Sequence, residues 1–196
     1  AIRLNLHTVG QVFRDEAALT DDEIGTMLDE MEREVARLET LMREMLGFVR
    51  TSDKQPEPID VTDEIGRTMM LLRANFDARG IDAHVDFDDE PAVVAIDSTR
   101  LRQVLFNLLN NAIEALPAGG HIQLTVRSGR SQVEIVVTDD GPGVAPADRD
   151  RIFVPFYSTK ASGTGLGLAL ARKFIEEAGG VLRCEESPRG RGSCFR

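Results

Sequence analysis

The sequence is poor in cysteine and in aromatic residues. Among its 196 residues there are two cysteines, one tyrosine and no tryptophan, and aromatic residues make up 5%. Cys184 and Cys194 form neither a CxxC pair nor another metal-ligand pattern. They therefore predict two reduced core thiols in a cytoplasmic protein.

Positive charge is also scarce. The chain has 23 Lys and Arg against 33 Asp and Glu, which gives a formal net charge of −10. Nucleic acids and acidic membrane surfaces bind proteins with excess Lys and Arg, so this balance argues against both as partners. An anionic ligand would have to be held locally, by backbone N–H groups and a few basic side chains.

Long apolar runs are absent. No stretch of the sequence approaches the roughly 18–20 apolar residues that cross a bilayer, and no signal segment opens the chain. Hydrophobic residues nevertheless make up 42%, enough to bury a core. We expect a soluble, cytoplasmic piece, while a longer parent could be anchored in a membrane through a part that precedes Ala1.

The first 50 or so residues predict a helical hairpin, with helices over 1–19 and 21–51. Thr20 or Asp21 can cap the second helix. A heptad seam held for nearly four repeats favours pairing with a second copy into a dimeric four-helix bundle, although packing against its own chain is the alternative. The seam consists of Ile24, Leu28, Met31, Val35, Leu38, Met42, Met45 and Val49.

A polar, proline-containing linker over 51–58 predicts a boundary, which divides the chain into domains 1–52 and 53–196. In the second domain, periodicity and turn residues predict an α+β fold: an α/β sandwich with one mixed sheet covered by helices on one face. The predicted helices cover 62–79, 98–116 and 166–178, and the predicted strands cover 81–87, 93–96, 121–127, 132–138, 181–186 and 192–195.

Two asparagines on one helix face are the first sign of a site. Asn107 and Asn111 are four residues apart in the predicted helix 98–116, on a different side from its apolar residues. Asparagine is a poor helix former, and its amide oxygen can bind Mg²⁺ or reach phosphate through water. Two ordinary surface asparagines are the alternative.

Two glycine-bearing segments follow. Asp139 ends a predicted strand before Gly141 and Gly143, where a carboxylate can accept from an exocyclic amine and the backbone can approach a flat ring; a plain surface turn is the alternative. The segment 163–168 precedes a helix, whose free N–H groups would form a phosphate site beside Lys160. Because this segment follows a long loop, and its spacing differs from a P-loop, Rossmann and P-loop folds are rejected.

Taken in order, these segments resemble the ATP-binding domain of sensor histidine kinases, in the wider superfamily of type II topoisomerases, the mismatch-repair ATPase and the heat-shock chaperone. Residues 103–112 resemble its N box, 139–143 its G1 box, 153–156 its F box and 163–168 its G2 box. The short segment 157–160 is similar to kinases of the nitrogen-regulation type, and the helical hairpin falls within the resemblance.

The resemblance implies a site for ATP and Mg²⁺. Asn111 would coordinate Mg²⁺ and Asn107 would support phosphate or metal, while Asp139 would bind the adenine amine. Residues 144–163 would form a lid over ATP, and Glu114 would polarise a water or proton. The implied ATP-binding residues are Asn107, Asn111, Asp139, Gly141, Gly143, Lys160, Thr164, Gly165, Leu166, Gly167 and Leu168.

The implied activity is transfer of the γ-phosphoryl group to a histidine on the bundle, and from there to an aspartate of a response-regulator receiver domain. The sequence lacks the His-Glu-x-x-Asn-Pro-Leu box that carries this histidine, so we expect the box upstream of Ala1, in a trimmed fragment. His7 is followed by Thr8 rather than an acidic residue and is a poor substitute.

Two other functions share these features. The missing acceptor box favours a dimeric ATP-binding or partner-binding module without autokinase activity. A Ser/Thr kinase of the anti-sigma type shares the boxes, but it gives no reason for the long heptad hairpin and ranks last.

Overall fold

The computed structural model describes residues 20–49, 56–88, 90–160 and 163–196. The described residues fall into two compact units, one with residues 20–49 and the other with residues 56–196. The predicted first helix of the hairpin, over 1–19, and His7 within it lie outside the described residues.

The first unit contains a single described helix, α1 (Asp21–Val49). Thr20 caps it: the backbone N–H of Glu23 donates to Thr20 Oγ1 at 3.3 Å, and the Thr20 N–H donates back to the Glu23 carboxylate at 2.9 Å. The apolar seam lies on its surface, with Leu28 55% and Met42 63% exposed. No described helix is long and apolar enough to cross a membrane.

The second unit alternates helices and strands. Two 3₁₀ turns, Pro146–Asp148 and Arg151–Phe153, lie between its last helix and the strand before that helix. The helices and strands are β1 (Glu57–Asp60), α2 (Val61–Arg79), β2 (Asp82–Phe87), β3 (Val93–Ile96), α3 (Ser98–Ala115), β4 (His121–Ser128), β5 (Val133–Asp139), α4 (Gly167–Glu177), β6 (Cys184–Glu186) and β7 (Ser193–Phe195).

Five strands form the mixed sheet, in the order β2-β4-β5-β7-β6. Strand β2 pairs with β4 in parallel and the other pairs are antiparallel. In β4, Ile122, Leu124 and Val126 are buried, whereas His121 and Arg127 are exposed. This alternation gives the sheet one buried face, and the prediction of a mixed sheet with helices in an α+β fold is confirmed.

The prediction of a single sheet was wrong. Strand β3 pairs with β1 in a separate antiparallel ribbon, with Pro58 opposite Ala95. The predicted linker over 51–58 therefore ends too late, because Glu57 and Pro58 already belong to β1. A two-stranded ribbon has only edge strands, which tolerate a proline at positions whose N–H side faces solvent.

Helices α2 and α3 both contribute buried residues to the core. Asp60 and Asp97 cap them by accepting from the N–H groups of Thr62 and Thr99, and Gly80 ends α2 as predicted. Glu64 of α2 is buried and forms ion pairs with Arg67 at 3.1 Å and with Arg102 of α3 at 2.8 Å. The residues predicted for the core face of α3 are all buried: Leu101, Val104, Leu105, Leu108 and Ile113.

Candidate nucleotide site

Asp139 lies at the buried end of β5, with 3% of its surface exposed. Its Oδ1 accepts from the backbone N–H of Gly141 at 2.9 Å and of Ser193 at 3.1 Å. In the described part of the chain Oδ2 accepts no hydrogen bond. A buried carboxylate held at one oxygen presents the other to a donor, which fits the exocyclic amine of adenine.

The turn before β7 packs against the backbone of Asp139 and Gly143. A Cβ at Gly192 would collide with the carbonyl oxygen of Asp139, and a Cβ at Gly143 would come 2.8 Å from the carbonyl oxygen of Gly192. Only glycine permits both approaches. Sequence reasoning missed Gly192 and Ser193 as site residues, although the spaced glycines at 190 and 192 mark a tight turn.

Asp140 joins the end of β5 to the start of β4 and to the turn before β7. Its carboxylate accepts from the His121 backbone N–H at 2.8 Å, and it pairs with the His121 ring and the Arg191 guanidinium, each at 3.1 Å. The His121 backbone hydrogen bond is the main cause that lowers the pKa of Asp140, with further lowering by the His121 side chain and Arg191. Asp140 thus fixes the strand ends that carry Asp139.

Asn107 connects α3 to the start of α4. Its Nδ2 donates to the backbone carbonyl of Gly167 at 2.8 Å. A Cβ at Gly167 would be in ordinary van der Waals contact with Asn107 Cγ, at 3.5 Å. The Asn107 amide therefore positions the first turn of α4 beside the asparagine face of α3.

The start of α4 carries no side-chain cap. It begins at Gly167, one residue later than predicted, and Leu166 in the cap position makes no side-chain hydrogen bond. Its unpaired N–H groups and helix dipole favour an anion here. Thr164, whose Oγ1 accepts from the Leu166 N–H at 3.3 Å, lies just before this turn, and Leu168 lies within it.

Gly165 fixes the backbone that enters this turn. It has φ +69°, and a Cβ would lie 2.7 Å from the backbone nitrogen of Tyr157. Its carbonyl accepts from the N–H of Phe156, a residue that itself has φ 67°. Two left-handed residues side by side bring the start of α4 against the segment that carries Lys160.

Lys160 meets the second asparagine. Its Nζ donates to Asn111 Oδ1 at 3.0 Å and to Glu114 Oε2 at 2.7 Å. Amide and carboxylate oxygens are Mg²⁺ ligands, so this donor set fits that metal. Among the described residues no group of three His, Cys, Asp or Glu could hold an ion.

The segment predicted as a lid, 144–163, is held by its own contacts as far as residue 160. Tyr157 Oη donates to Asp148 Oδ1 at 2.7 Å, and Arg151 pairs with the same Asp148 oxygen at 3.1 Å while lying over the Tyr157 ring. Residues 161 and 162 lie outside the described part.

Known proteins match both the sequence and the structure. Residues 96–196 match the family described as histidine kinase-, DNA gyrase B-, and HSP90-like ATPase. Sensor histidine kinase ZraS of Klebsiella oxytoca is 36% identical over 168 residues, which are 84% of this chain and 36% of ZraS. The chain thus spans about a third of the length of the curated relatives it matches.

Two solved structures extend the likeness. Histidine kinase ThkA in complex with response regulator protein TrrA has a TM-score of 0.78 and 29% identity, over 99% of this chain and 57% of that chain. Full-length ShkA in complex with AMPPNP has a TM-score of 0.74 and 27% identity, over 92% of this chain and 39% of that chain.

The family match covers more than half of the chain, and it includes every segment that forms the candidate site. The resemblance inferred from the asparagine pair and the glycine-bearing turns is therefore confirmed. The chain belongs to the histidine kinase-, DNA gyrase B- and HSP90-like ATPases and contains the ATPase domain of a histidine kinase.

Proposed function

We propose that this domain binds ATP with Mg²⁺ and donates the γ-phosphoryl group to a histidine. The observation that carries the proposal is the buried Asp139 carboxylate, which two backbone N–H groups hold at Oδ1 and which keeps Oδ2 for a further donor. Adenine offers such a donor in its exocyclic amine. Gly141 and Gly143 would line the base pocket.

The phosphate chain would lie at the start of α4. The backbone of Thr164, Gly165, Leu166, Gly167 and Leu168 would bind its oxygens, with Lys160 adding a positive charge. Asn111 would hold Mg²⁺, which neutralises charge on the phosphates, and Asn107 would keep the helix start in place through Gly167. The domain acts chiefly by positioning the phosphoryl group.

The known functions of the relatives support the remaining steps of the proposed pathway. ZraS is a sensor histidine kinase, and ThkA has been solved with a response regulator. The accepting histidine would lie in the helical domain, which comprises residues 1–52 and the segment that carries this histidine. A receiver-domain aspartate would then take the phosphoryl group from it. Two copies would pair through the helical domain, in the cytoplasm. Residues 53–196 would bind ATP and donate its γ-phosphoryl group.

Nucleotide selectivity tests the base pocket. ITP carries a carbonyl oxygen where ATP carries the amine, so the Asp139 carboxylate would repel it. Calorimetry with Mg²⁺ should show ATP binding about 10- to 100-fold tighter than ITP, and Asp139→Asn should remove most of that preference. Asp77→Asn, at an exposed position of α2, is the matched control and should leave both affinities unchanged.

Failure of the well-folded chain to bind ATP would sink the proposal. Transfer itself is a separate measurement, made with ATP radiolabelled at the γ-phosphate and a longer chain that includes the acceptor box. Acid-labile, alkali-stable label indicates phosphohistidine. ATP binding without such label would favour the dimeric module without autokinase activity.

A further inference from the structure

One ammonium group bridges two oxygens of the candidate site. Asn111 and Glu114 lie three residues apart on α3, so their side chains share one face of the helix. Both accept from Lys160 Nζ, at 3.0 Å and 2.7 Å. Glu114 is 55% exposed and Lys160 33% exposed, so the pair lies at the mouth of the site and can exchange partners.

The backbone of Lys160 is fixed independently of its side chain. Ser158 Oγ accepts from the Lys160 N–H at 3.1 Å and donates to the Lys160 carbonyl at 3.2 Å, and the Gly163 N–H donates to that carbonyl at 3.2 Å. The side chain can therefore leave Asn111 while its backbone turn stays in place. Only rotations about the side-chain bonds are required.

The position of this ammonium conflicts with bound Mg²⁺. Asn111 Oδ1 is the amide oxygen assigned to the metal under the proposed function, and Lys160 already donates to it. Two cations that share one oxygen repel each other strongly in a partly buried site. Lys160 must leave Asn111 before a metal can bind there.

We infer that Glu114 is a positioning residue that holds Lys160 on Asn111 in the nucleotide-free protein, so that binding of a magnesium nucleotide exchanges one cation for another. This inference rests on the proposed function. The metal takes the place of the ammonium at Asn111, and Lys160 turns from Glu114 to the phosphate chain. The carboxylate of Glu114 competes with phosphate for the same lysine.

A double-mutant cycle tests the exchange. Calorimetry with Mg²⁺ and AMPPNP is made on the unmodified chain, Glu114→Gln, Lys160→Met and the double variant. Glu114→Gln should tighten binding about two- to fivefold, the size expected of an exposed ion pair, because Lys160 is no longer held away from phosphate. In the Lys160→Met background the same change should have no effect.

Glu176→Gln is the matched control. Glu176 is an exposed residue near the end of α4 that pairs with Arg172, so its replacement changes the net charge equally but leaves Lys160 untouched. Its AMPPNP affinity should equal that of the unmodified chain. Thermal unfolding of each variant checks that it is folded.

Hydrogen exchange tests whether the lysine side chain moves without its backbone. Ser158 and Gly163 hold the backbone turn at Lys160, so Glu114→Gln should leave exchange of the backbone amides over 154–160 unchanged in the nucleotide-free protein. Tighter AMPPNP binding with an unchanged backbone is the result that a merely structural ion pair would not give.

Each contrary result has its own meaning. Equal tightening by Glu114→Gln with and without Lys160 shows direct repulsion of phosphate and overturns the exchange. Unchanged or weakened AMPPNP binding in Glu114→Gln, or faster hydrogen exchange over 154–160 in the nucleotide-free variant, overturns it too. If no folded variant, nor the unmodified chain, binds AMPPNP, the proposed function itself fails.

Discussion

Gly192 lies directly against the backbone of Asp139, so that a side chain at position 192 would collide with the Asp139 carbonyl oxygen. The same turn continues into Ser193, whose N–H donates to the Asp139 carboxylate at 3.1 Å. Two residues more than fifty positions apart in the sequence thus share one contact, and the orientation of the Asp139 carboxylate depends on it.

Replacing Gly192 by Ala should be strongly destabilising. The residue has φ +84°, and its neighbour in space is backbone that cannot rotate aside. We expect the free energy of unfolding, measured with urea, to fall by at least about 2 kcal/mol. Gly190→Ala is the control: it shares a positive φ of +72° but meets nothing within 4 Å, and should lose only about 1 kcal/mol. Equal losses of unfolding free energy in the two variants would show that the close approach of Gly192 to Asp139 does not contribute to the effect.

Glu64 should contribute more to stability than an exposed carboxylate does. Its side chain is 6% exposed and pairs with Arg102 across the α2–α3 interface and with Arg67. Glu64→Gln should lower the free energy of unfolding by about 1–3 kcal/mol, because the buried side chain at position 64 loses the charge that pairs with Arg102 and Arg67. Asp77→Asn removes an exposed pair with Arg73 and should change it by less than about 0.5 kcal/mol. A similar small change in both variants would contradict this ranking.

Asp140 should make stability depend on acid pH. Its pKa is lowered in the folded protein, chiefly by the His121 backbone N–H, so the folded state binds the proton less readily than the unfolded state. The stabilisation is therefore fully present above the unfolded pKa of about 3.9 and is lost as the pH falls through the lower folded pKa. Urea unfolding between pH 5 and pH 3 should show a shallower loss in Asp140→Asn than in the unmodified chain. Parallel pH profiles would refute this.

Cys184 should be unreactive in the folded protein. Burial raises the pKa of its thiol to about 11. At pH 8 its thiolate fraction is then roughly 200-fold below that of a free cysteine, and the reaction with an aromatic disulfide reagent should slow accordingly. The Cys194→Ala variant isolates Cys184, and the same variant in guanidinium provides the reference rate. Comparable rates in the two conditions would rule out the effect of burial.

The exposed seam of α1 should form a dimer. Leu28, Leu38 and Met45 are 55%, 48% and 51% exposed. A continuous row of exposed apolar side chains is typical of a surface that binds another protein chain. Sedimentation velocity should give a dimer for the unmodified chain and a monomer for Leu38→Glu. Glu39→Ala changes an exposed residue next to the seam and should stay dimeric. A monomeric unmodified chain would contradict the four-helix bundle.

Local patterns in the sequence predict most of the second unit. The apolar face of α3 and the end of α2 at Gly80 are correct because both depend on residues within one or two helical turns. Pairing between distant strands is different. The prolines at 56 and 58 indicate a linker, and nothing near them in the sequence shows that Val93–Ile96 offers β1 a partner.

The candidate site follows the same division. Asn107, Asn111 and Asp139 could be selected from spacing and residue type alone. Their contacts could not, because Gly167, Lys160 and Ser193 each approach from a segment 49 to 60 positions away. Residue type and spacing thus indicate which residues belong to the candidate site, whereas the hydrogen-bond partner of each polar atom depends on the packed fold.

The pairing of β7 with β5 has a consequence for how the protein is made. Asp139 is oriented by the N–H of Ser193, which reaches it only when β7 is in place. During synthesis the chain can complete helices α2 and α3 while Asp139 still lacks its Ser193 partner, until residues 193–195 have left the ribosome. If Asp139 binds adenine as proposed, nucleotide binding would begin only after β7 has paired with β5.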